Sequence, residues 1–345
     1  MKRSTTLIEN QAVYAGIDYH KLGSVVTLGD KAGSVLLQEK LVNDENIIRK
    51  FFLRHGPLSC AIENCRGNEW FVELLKTCGC SVKVSNTYAV RLIADSTKKN
   101  DKIDSRLLME LLAKDYLPTC YQPSQEERSL RERLRWRTQL MRTRTKYKNI
   151  AHALMDKENK GAKIGSAKSR KELAGNKHLS EQRQVRLKRN LKVIDYFEEK
   201  VCSEDQELLM LAKKNPDIER LKTIPGVGDL SALMIIAEFG DVNRFKKAGN
   251  ISGYLGLVPR LYASSDVRRL GSITKQGSGA MRRILVQDAW MAIKTSEAFK
   301  KRYNTIMRRR GKKVAIVAIA RMIAETAFCL LRDKTEFDEK RLTLG

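Results

Sequence analysis

The chain has 345 residues, and its 66 lysines and arginines exceed its 40 acidic residues enough to give a formal net charge of +26. This length allows two or three domains, and the excess charge indicates a polyanionic partner: nucleic acid first, an anionic membrane surface as the alternative. The start Met1–Ser4 lacks an apolar signal segment, and the longest apolar stretch, 314–331, is interrupted by Arg321 and Glu325. We therefore predict neither secretion nor a membrane span. Seven scattered cysteines without paired CxxC spacing indicate reduced thiols in a cytoplasmic protein rather than a zinc site.

Short apolar runs alternate with amphipathic segments over the first 94 residues. The runs predict strands, and the amphipathic segments predict helices. Predicted strands cover 12–18, 24–29, 34–38, 58–62 and 81–84, and predicted helices cover 45–54, 69–77 and 87–94. The order β-β-β-α-β-α-β-α is that of the ribonuclease H-like fold, a mixed α/β sheet with helices on its faces. We predict such a domain over residues 1–120.

Four carboxylates fall where this fold would bring them together. Asp18 ends the first strand, and Glu63 follows the fourth, which is the neighbour of the first in a ribonuclease H-like sheet. The next helix opens with Asp101 and Asp104, whose spacing puts both on one face. Carboxylates this close repel unless a cation lies between them, and hard divalent ions take oxygen ligands. The four acids thus predict a site for two Mg²⁺ (or Mn²⁺) ions that serves phosphoryl transfer, although each acid alone could be a helix-start, turn or strand-end residue.

Lysines surround the last two of these acids. Lys99 and Lys102 are predicted nucleic-acid contacts, and a solvated surface is the alternative. Beyond them, Pro118 and Pro123 bracket a linker. Helical patterns over 124–158 and up to about 214 then predict an antiparallel, coiled-coil hairpin over residues 121–217, with a loop at 160–180. This hairpin is interpreted as a dimerisation arm with basic faces that bind nucleic acid, or else as a solvated spacer.

The stretch Ile224–Gly228, between two helical patterns, resembles a helix-hairpin-helix. Gly226 and Gly228 would let backbone N–H groups approach a phosphate of the DNA backbone, and a glycine-rich turn without a ligand is the alternative. Further along, Ser264 and Ser265 are expected in a loop beside three cations, Arg268, Arg269 and Lys275. A serine among cations can attack a phosphate, but a plain polar loop is the competing interpretation. Two more helical patterns, 281–290 and 314–331, close an all-α domain over 218–345, and the basic run 308–313 lies between them.

Taken jointly, these motifs resemble the DEDD-type insertion-sequence transposases, a family that includes the Piv-type DNA invertases and bridge-RNA-guided recombinases. The resemblance spans nearly the whole chain in the same order. It is carried by Gly16-Ile17-Asp18, Ile62-Glu63-Asn64, 99–104, Ile224–Gly228, Gly256-Leu257-Val258-Pro259, and the block from Tyr262 through 271–277 to Arg282-Arg283.

The resemblance implies a RuvC-like domain whose tetrad is Asp18, Glu63, Asp101 and Asp104, and a C-terminal transposase domain with a nucleophilic serine. In the family's pattern a tyrosine lies two residues before the serine and a glycine follows it. That pattern selects Ser264, although Ser265 stands where the glycine would be and is the second choice. Thr274 and Arg282, within the matched block, join the predicted nucleic-acid contacts.

The resemblance also implies a DNA transposase that cuts and rejoins DNA through a serine–DNA phosphodiester. A structured RNA from the element would guide it, and the active form would be a dimer or tetramer. A Piv-type invertase, a RuvC-like nuclease that uses water, and an architectural nucleic-acid-binding protein are the alternatives. No Walker A pattern occurs in the sequence, which suits strand exchange without ATP.

Overall fold

Five strands near the N-terminus form one mixed sheet: β1 (Tyr14–Tyr19), β2 (Gly23–Gly29), β3 (Val35–Val42), β4 (Ser59–Glu63) and β5 (Ser81–Ser85). The computed structural model describes residues 12–93, 100–157, 159, 161, 163–175, 179–264 and 267–340, with 262–264 and 267–270 as backbone only. The order is β3-β2-β1-β4-β5. β1 is antiparallel to β2 and parallel to β4, and β4 is parallel to β5. The five predicted strands and the mixed sheet are confirmed.

Four helices accompany this sheet: α1 (Glu45–His55), α2 (Glu69–Thr77), α3 (Thr87–Ile93) and α4 (Asp101–Ala113). Successive residues of a strand point to opposite faces of the sheet, so β1 and β4 contribute side chains to two hydrophobic cores, one on each face. On one face, Ile17 and Ile62 pack with Phe52 of α1 and Phe71 of α2. On the other face, α4 lies across the sheet. These elements belong to one of two compact units, Met1–Gln122; the second is Pro123–Gly345.

A pair of 32-residue helices, α5 (Gln125–Asp156) and α7 (Glu181–Ala212), begins the second unit. A capping box begins α5, because Ser124 Oγ accepts from Glu127 N and the Glu127 carboxylate accepts from Ser124 N. Arg133 pairs with Glu204, and Arg144, which is later in α5, pairs with Glu198, which is earlier in α7. The two helices therefore run antiparallel. The antiparallel hairpin is confirmed, whereas supercoiling and a dimerising role stay predictions.

Residues 160–180 are not the continuous loop predicted from their polar composition. They contain a further short helix, α6 (Ala167–Ala174), whose N-cap Ser166 accepts from Ser169 N. Arg170 of α6 is buried and binds Asp195 of α7 at 2.7 Å. This long-range ion pair holds α6 against the hairpin, which is why local composition did not predict the helix.

The rest of the second unit packs around a long apolar helix. Its helices are α8 (Pro216–Lys222), α9 (Asp229–Phe239), α10 (Ala248–Tyr254), α11 (Gly279–Thr295), α12 (Glu297–Arg310) and α13 (Lys312–Asp333). Helix α13 has the length and hydropathy of a membrane span, but Ile319, Ile323 and Phe328 are fully buried in the core of the unit. This burial matches the predicted core helix. The hairpin and these helices form one compact unit, so the division at residue 217 stays a prediction.

The C-terminal part is not the all-α domain that the sequence pattern predicts. Strands β6 (Pro259–Ser264) and β7 (Val267–Ile273) pair antiparallel and take the place of the predicted serine loop. The sequence of these strands lacks the sustained apolar–polar alternation that predicts a half-buried strand. That absence explains why a loop was predicted.

Candidate active site

All four predicted acids line one pocket of about 250 Å³ in the N-terminal unit. Asp18 and Glu63 reach it from two neighbouring strands. The parallel pair β1–β4 matches Ile17 with Ile62, and each acid is the next residue along its strand. Asp101 and Asp104 reach the pocket from the first turn of α4. The structure therefore brings together the four carboxylates that the sequence pattern singled out.

Helix α4 is positioned by a very close approach to β1 and β2. A Cβ at Gly16 would lie 2.0 Å from the Ser105 carbonyl oxygen, and a Cβ at Gly29 would lie 2.3 Å from Met109 Sδ. The hydroxyls of Thr27 and Ser105 are hydrogen-bonded at 2.8 Å in the same buried contact. Glycine is needed where a helix backbone rests on a strand. This packing sets the first turn of α4 over the end of β1.

The start of α4 is fixed by its cap. Asn100 Oδ1 accepts from Lys102 N at 3.1 Å, which satisfies one of the free N–H groups of the first turn. Asp101 and Asp104 follow in that turn, where the helix dipole favours negative charge. Lys102 is exposed beside them, and Lys99 lies outside the described residues. Their predicted contacts with nucleic acid stay predictions.

Asp18 is the most buried of the four acids, with 3% of its surface exposed. Burial raises the pKa of its carboxyl group to about 6; Asp101, Glu63 and Asp104 add to this rise, and His20 opposes it. A buried carboxylate next to three others is unfavourable at neutral pH without a cation. Oxygen ligands from four carboxylates are also the donor set that Mg²⁺ and Mn²⁺ prefer. The residues present therefore fit a divalent-cation site.

His20 is a further site residue that sequence reasoning missed. Its Nε2 lies 3.2 Å from Asp18 Oδ2 and 3.5 Å from Asp101 Oδ2. The ligand atoms of these three residues lie within 4.8 Å of one another, a spacing that could hold a metal ion. The chain has four histidines that are far apart in sequence and form no ligand pattern, so the sequence predicts none of them as a site residue. The available signal was that His20 follows Asp18 by two residues at a strand end, on the same side of the chain.

The predicted nucleophile lies in the other compact unit. Ser264 is the last residue of β6 and its backbone is paired with Val267, while Ser265 lies outside the described residues. The backbones of Arg268 and Arg269 are in β7, opposite Ala263 and Tyr262. The roles of Ser264, Arg268 and Arg269 stay predictions.

The glycine turn Ile224–Gly228 joins α8 to α9, as the pattern predicted. Gly226 has a positive φ of 89°, and a Cβ there would lie 2.3 Å from the carbonyl oxygen of Asp288 in α11. Gly226 thus serves the packing of this turn on α11. Gly228 is the N-cap of α9 and has open space around it. A phosphate contact at either glycine, and the helix-hairpin-helix itself, stay predictions.

The motif residues near Gly277 hold the base of the β6–β7 hairpin. Arg282 Nη1 donates to the carbonyl oxygens of Leu255 at 3.0 Å and Gln276 at 2.5 Å. Thr274 N donates to Val258 O at 2.9 Å, and Lys275 is exposed with a positive φ of 58°. Through these contacts Arg282 and the Thr274 backbone stabilise the turn at the base of the hairpin. The predicted nucleic-acid contacts of Thr274, Lys275 and Arg282 stay predictions.

Fold and site together define an enzyme built on a ribonuclease H-like sheet with an acidic, metal-fitting pocket. Comparisons with known proteins give the family. Residues 15–159 match the DEDD transposase model of the IS110 type, described as Transposase, and residues 218–304 match the model described as Transposase IS116/IS110/IS902 family. The chain belongs to this family of insertion-sequence transposases, which cut and rejoin DNA.

Similarity to individual proteins extends over most of the chain. It is 26% identical over 330 residues to a transposase for insertion sequence element IS1328 from Yersinia enterocolitica, covering 94% of this chain and 98% of that protein. It is 26% identical to a transposase for IS1111A from Coxiella burnetii, covering 88% and 85%. A pilin gene-inverting protein from Moraxella bovis is 26% identical over 155 residues, covering 43% of this chain and 48% of that protein.

Proposed function

We propose that this transposase cuts and rejoins DNA through a covalent bond between Ser264 and a DNA phosphate, with the four acids as its metal site. The observation that carries the proposal is the convergence of Asp18, Glu63, Asp101 and Asp104 on one pocket. Such a donor set has little other use, because four carboxylates at one place destabilise the fold in the absence of a cation.

In the proposed reaction, Ser264 Oγ forms a bond to phosphorus while one P–O bond of the DNA strand breaks. The serine loses its proton, and the departing DNA oxygen gains one. A DNA hydroxyl then attacks the same phosphorus, which releases the serine and joins the new strand. Each step exchanges one phosphate ester for another, so no ATP is consumed. A divalent ion bound by the acids would stabilise the negative charge that develops on the phosphate and the leaving oxygen.

The side chains of the acidic pocket contribute to the proposed reaction by holding the carboxylates in fixed positions. Burial and the packing of α4 on Gly16 hold Asp18 rigidly beneath the first turn of α4. His20 bridges Asp18 and Asp101 at 3.2 and 3.5 Å and keeps the two carboxylates oriented. Fixed carboxylates need no reorganisation during the reaction, which is the main source of electrostatic catalysis.

The acids and Ser264 belong to different compact units. The proposed reaction therefore needs both units, from one protomer or from two, to act on one phosphate. We propose a homo-oligomer in which the α5–α7 hairpin is the dimerisation arm, and we propose that a structured RNA selects the DNA. The formal charge of +26 supports binding to more than one nucleic-acid strand.

A site-specific DNA invertase is the second candidate. It is favoured by the similarity to the pilin gene-inverting protein, which covers less than half of either chain. Inversion and transposition would use the same serine chemistry and differ in the DNA that is joined. Sequencing the junctions formed in cells separates them, since an invertase yields a reversed segment at one locus and a transposase yields the element at a new site.

A covalent-adduct assay tests the proposal. The full-length protein is mixed with element-end DNA, RNA co-purified from cells that carry the element, and Mg²⁺, and adducts that survive denaturant are resolved by size. We expect adducts with the natural protein and none with Ser264→Ala or Asp101→Ala. The matched controls are Ser272→Ala, an exposed serine of β7, and Asp115→Asn, an exposed acid just beyond the far end of α4.

The controls should form adducts at the natural rate. An adduct that persists in Ser264→Ala would move the nucleophile to another residue. Cleavage without any adduct would replace the proposal with a hydrolytic nuclease.

A further inference from the structure

A groove of about 730 Å³ runs between α5 and α11 in the C-terminal unit. One wall carries Arg142 and Lys146 of α5, and the other carries Arg283 of α11. All three side chains are exposed. Within the described part of the chain, no aspartate or glutamate lines the groove. The groove is thus a concave surface with positive charge on both sides.

These cations are distinct from those that hold the helices together. Arg137, at one end of the groove, donates to both carboxylate oxygens of Asp205 and is neutralised by α7. For Arg142, Lys146 and Arg283, the described residues provide no carboxylate partner within ion-pair distance. Three exposed cations without carboxylate partners on facing walls repel one another, and a bound polyanion would relieve this repulsion.

The spacing along α5 suits a chain of phosphates. Arg142 and Lys146 are four residues apart, so they lie on one face about 6 Å apart along the helix axis. That rise is comparable with the separation of consecutive phosphates along a strand. Asn149 continues the same wall one turn later, and Gln287 extends the α11 wall in the same way, four residues after Arg283. Amides at these positions can donate to phosphate or sugar oxygens.

The floor of the groove is apolar. It is formed by Met141 and Ile150 of α5 and by Ile284 of α11. Apolar atoms under a row of cations suit the sugar faces of a nucleic-acid strand, which lie between its phosphates. A second copy of this chain is a poorer fit, because each copy carries a net charge of +26.

We propose that the α5–α11 groove binds the phosphodiester backbone of a nucleic-acid strand through Arg142, Lys146 and Arg283. The contact is to phosphates, so it positions the strand without reading its sequence. Helix α11 begins six residues after the end of β7, so a strand in the groove is held by the helix that follows the hairpin carrying Ser264. The groove proposal does not depend on Ser264 being the nucleophile.

The groove is tested by measuring the binding of the full-length protein to two labelled probes. One probe is a DNA duplex of about 30 base pairs, and the other is a single-stranded RNA of about 30 nucleotides. The groove variant is Arg142→Gln/Lys146→Gln/Arg283→Gln. Each phosphate contact contributes roughly 0.9 to the slope of log Kd against log salt for duplex DNA and 0.7 for single strands. We expect the slope to fall by about two to three on at least one probe, with a rise in Kd of at least tenfold at physiological salt.

The charge-matched control is Lys31→Gln/Lys50→Gln/Lys114→Gln, three exposed cations of the N-terminal unit that line neither the groove nor the acidic pocket. It removes the same charge and should change Kd by less than about threefold, the part that long-range attraction alone supplies. The probe that loses more affinity identifies the strand in the groove as DNA or RNA. Equal losses in groove variant and control on both probes would overturn the proposal.

An uncharged side chain that fills the groove, called the plug below, distinguishes binding inside the groove from the effect of net charge. Ala153→Trp places a large side chain in the groove without altering charge, and His152→Trp places the same side chain at the next, exposed position outside it. We expect only Ala153→Trp to weaken binding, at unchanged melting temperature. If the plug instead alters the oligomeric mass and leaves both Kd values intact, the groove is a contact between copies and the proposal fails.

Discussion

Replacing Asp18 by asparagine should stabilise the metal-free protein, and the gain should grow with pH. The folded-state pKa of about 6 lies above the ordinary value of 3.8 because the carboxyl group is buried. For an acid whose pKa is raised by folding, the unfolded chain loses its proton first. Stability therefore falls as pH rises from about 4 to about 6 and stays low above that.

The size of the effect follows from the two pKa values. At pH 7.5 the ionised carboxylate lowers the free energy of unfolding by about 3 kcal/mol, and at pH 4.5 by about 1 kcal/mol. Asparagine keeps the shape and carries no charge. Asp18→Asn should thus gain about 3 kcal/mol at pH 7.5 and about 1 kcal/mol at pH 4.5, measured with EDTA present.

Urea unfolding of the N-terminal unit, read by pulsed hydrogen exchange of β1 and β4 peptides, gives these free energies at both pH values. Mg²⁺ at about 100 times its Kd should add about 2.7 kcal/mol to the natural protein and much less to Asp18→Asn. Asp115→Asn, whose side chain is 92% exposed, should change stability by less than about 0.5 kcal/mol. An Asp18→Asn variant that is less stable than the natural protein at pH 7.5, or that gains the same stability at both pH values, would contradict this prediction.

Three further substitutions test the parts of the site. Gly16→Ala should lower the free energy of unfolding by roughly 3 kcal/mol or more and abolish adducts, because its Cβ would lie 2.0 Å from the Ser105 carbonyl oxygen. The control Gly249→Ala has open space around the added Cβ and should leave the stability nearly unchanged. An unaffected Gly16→Ala would contradict the close packing of α4. His20→Ala should leave the melting temperature within a few degrees and raise the Mg²⁺ concentration for half-maximal adduct roughly tenfold; an unchanged requirement would remove His20 from the site. Arg282→Ala should lose roughly 1–3 kcal/mol and speed hydrogen exchange at 274–278, and normal protection there would show that its three carbonyl contacts do not hold the turn.

The strands and the acids could be predicted from sequence because both are local signals. Apolar runs gave β1 and β4, and the fold class placed Asp18 and Glu63 next to each other. What the sequence pattern did not reveal depends on contacts between distant segments. The glycine of the Gly16-Ile17-Asp18 motif is required by the backbone of α4, about 90 residues later, and this need appears only once the two elements are packed.

The same limit explains the site contacts that the sequence pattern did not reveal. His20 joins Asp101 across the pocket, and a histidine count along the chain cannot detect that proximity. Gly226 and Arg282 were predicted to face nucleic acid, yet their visible contacts are with Asp288 and with the turn at 276–277. A glycine or an arginine in a motif can serve packing as well as binding, and only the three-dimensional neighbours distinguish these uses.

Mass spectrometry of the adduct is the most direct test of the proposed covalent bond between Ser264 and DNA. Trypsin cuts after Arg260 and Arg268 and releases the peptide 261–268, which contains both Ser264 and Ser265. After nuclease digestion, fragmentation of this peptide locates the nucleotide. The proposed bond predicts a nucleotide on Ser264, formed only when Asp101 is intact. A nucleotide on Ser265 or on any other residue, or a Ser264 adduct that forms equally in Asp101→Ala, would contradict it.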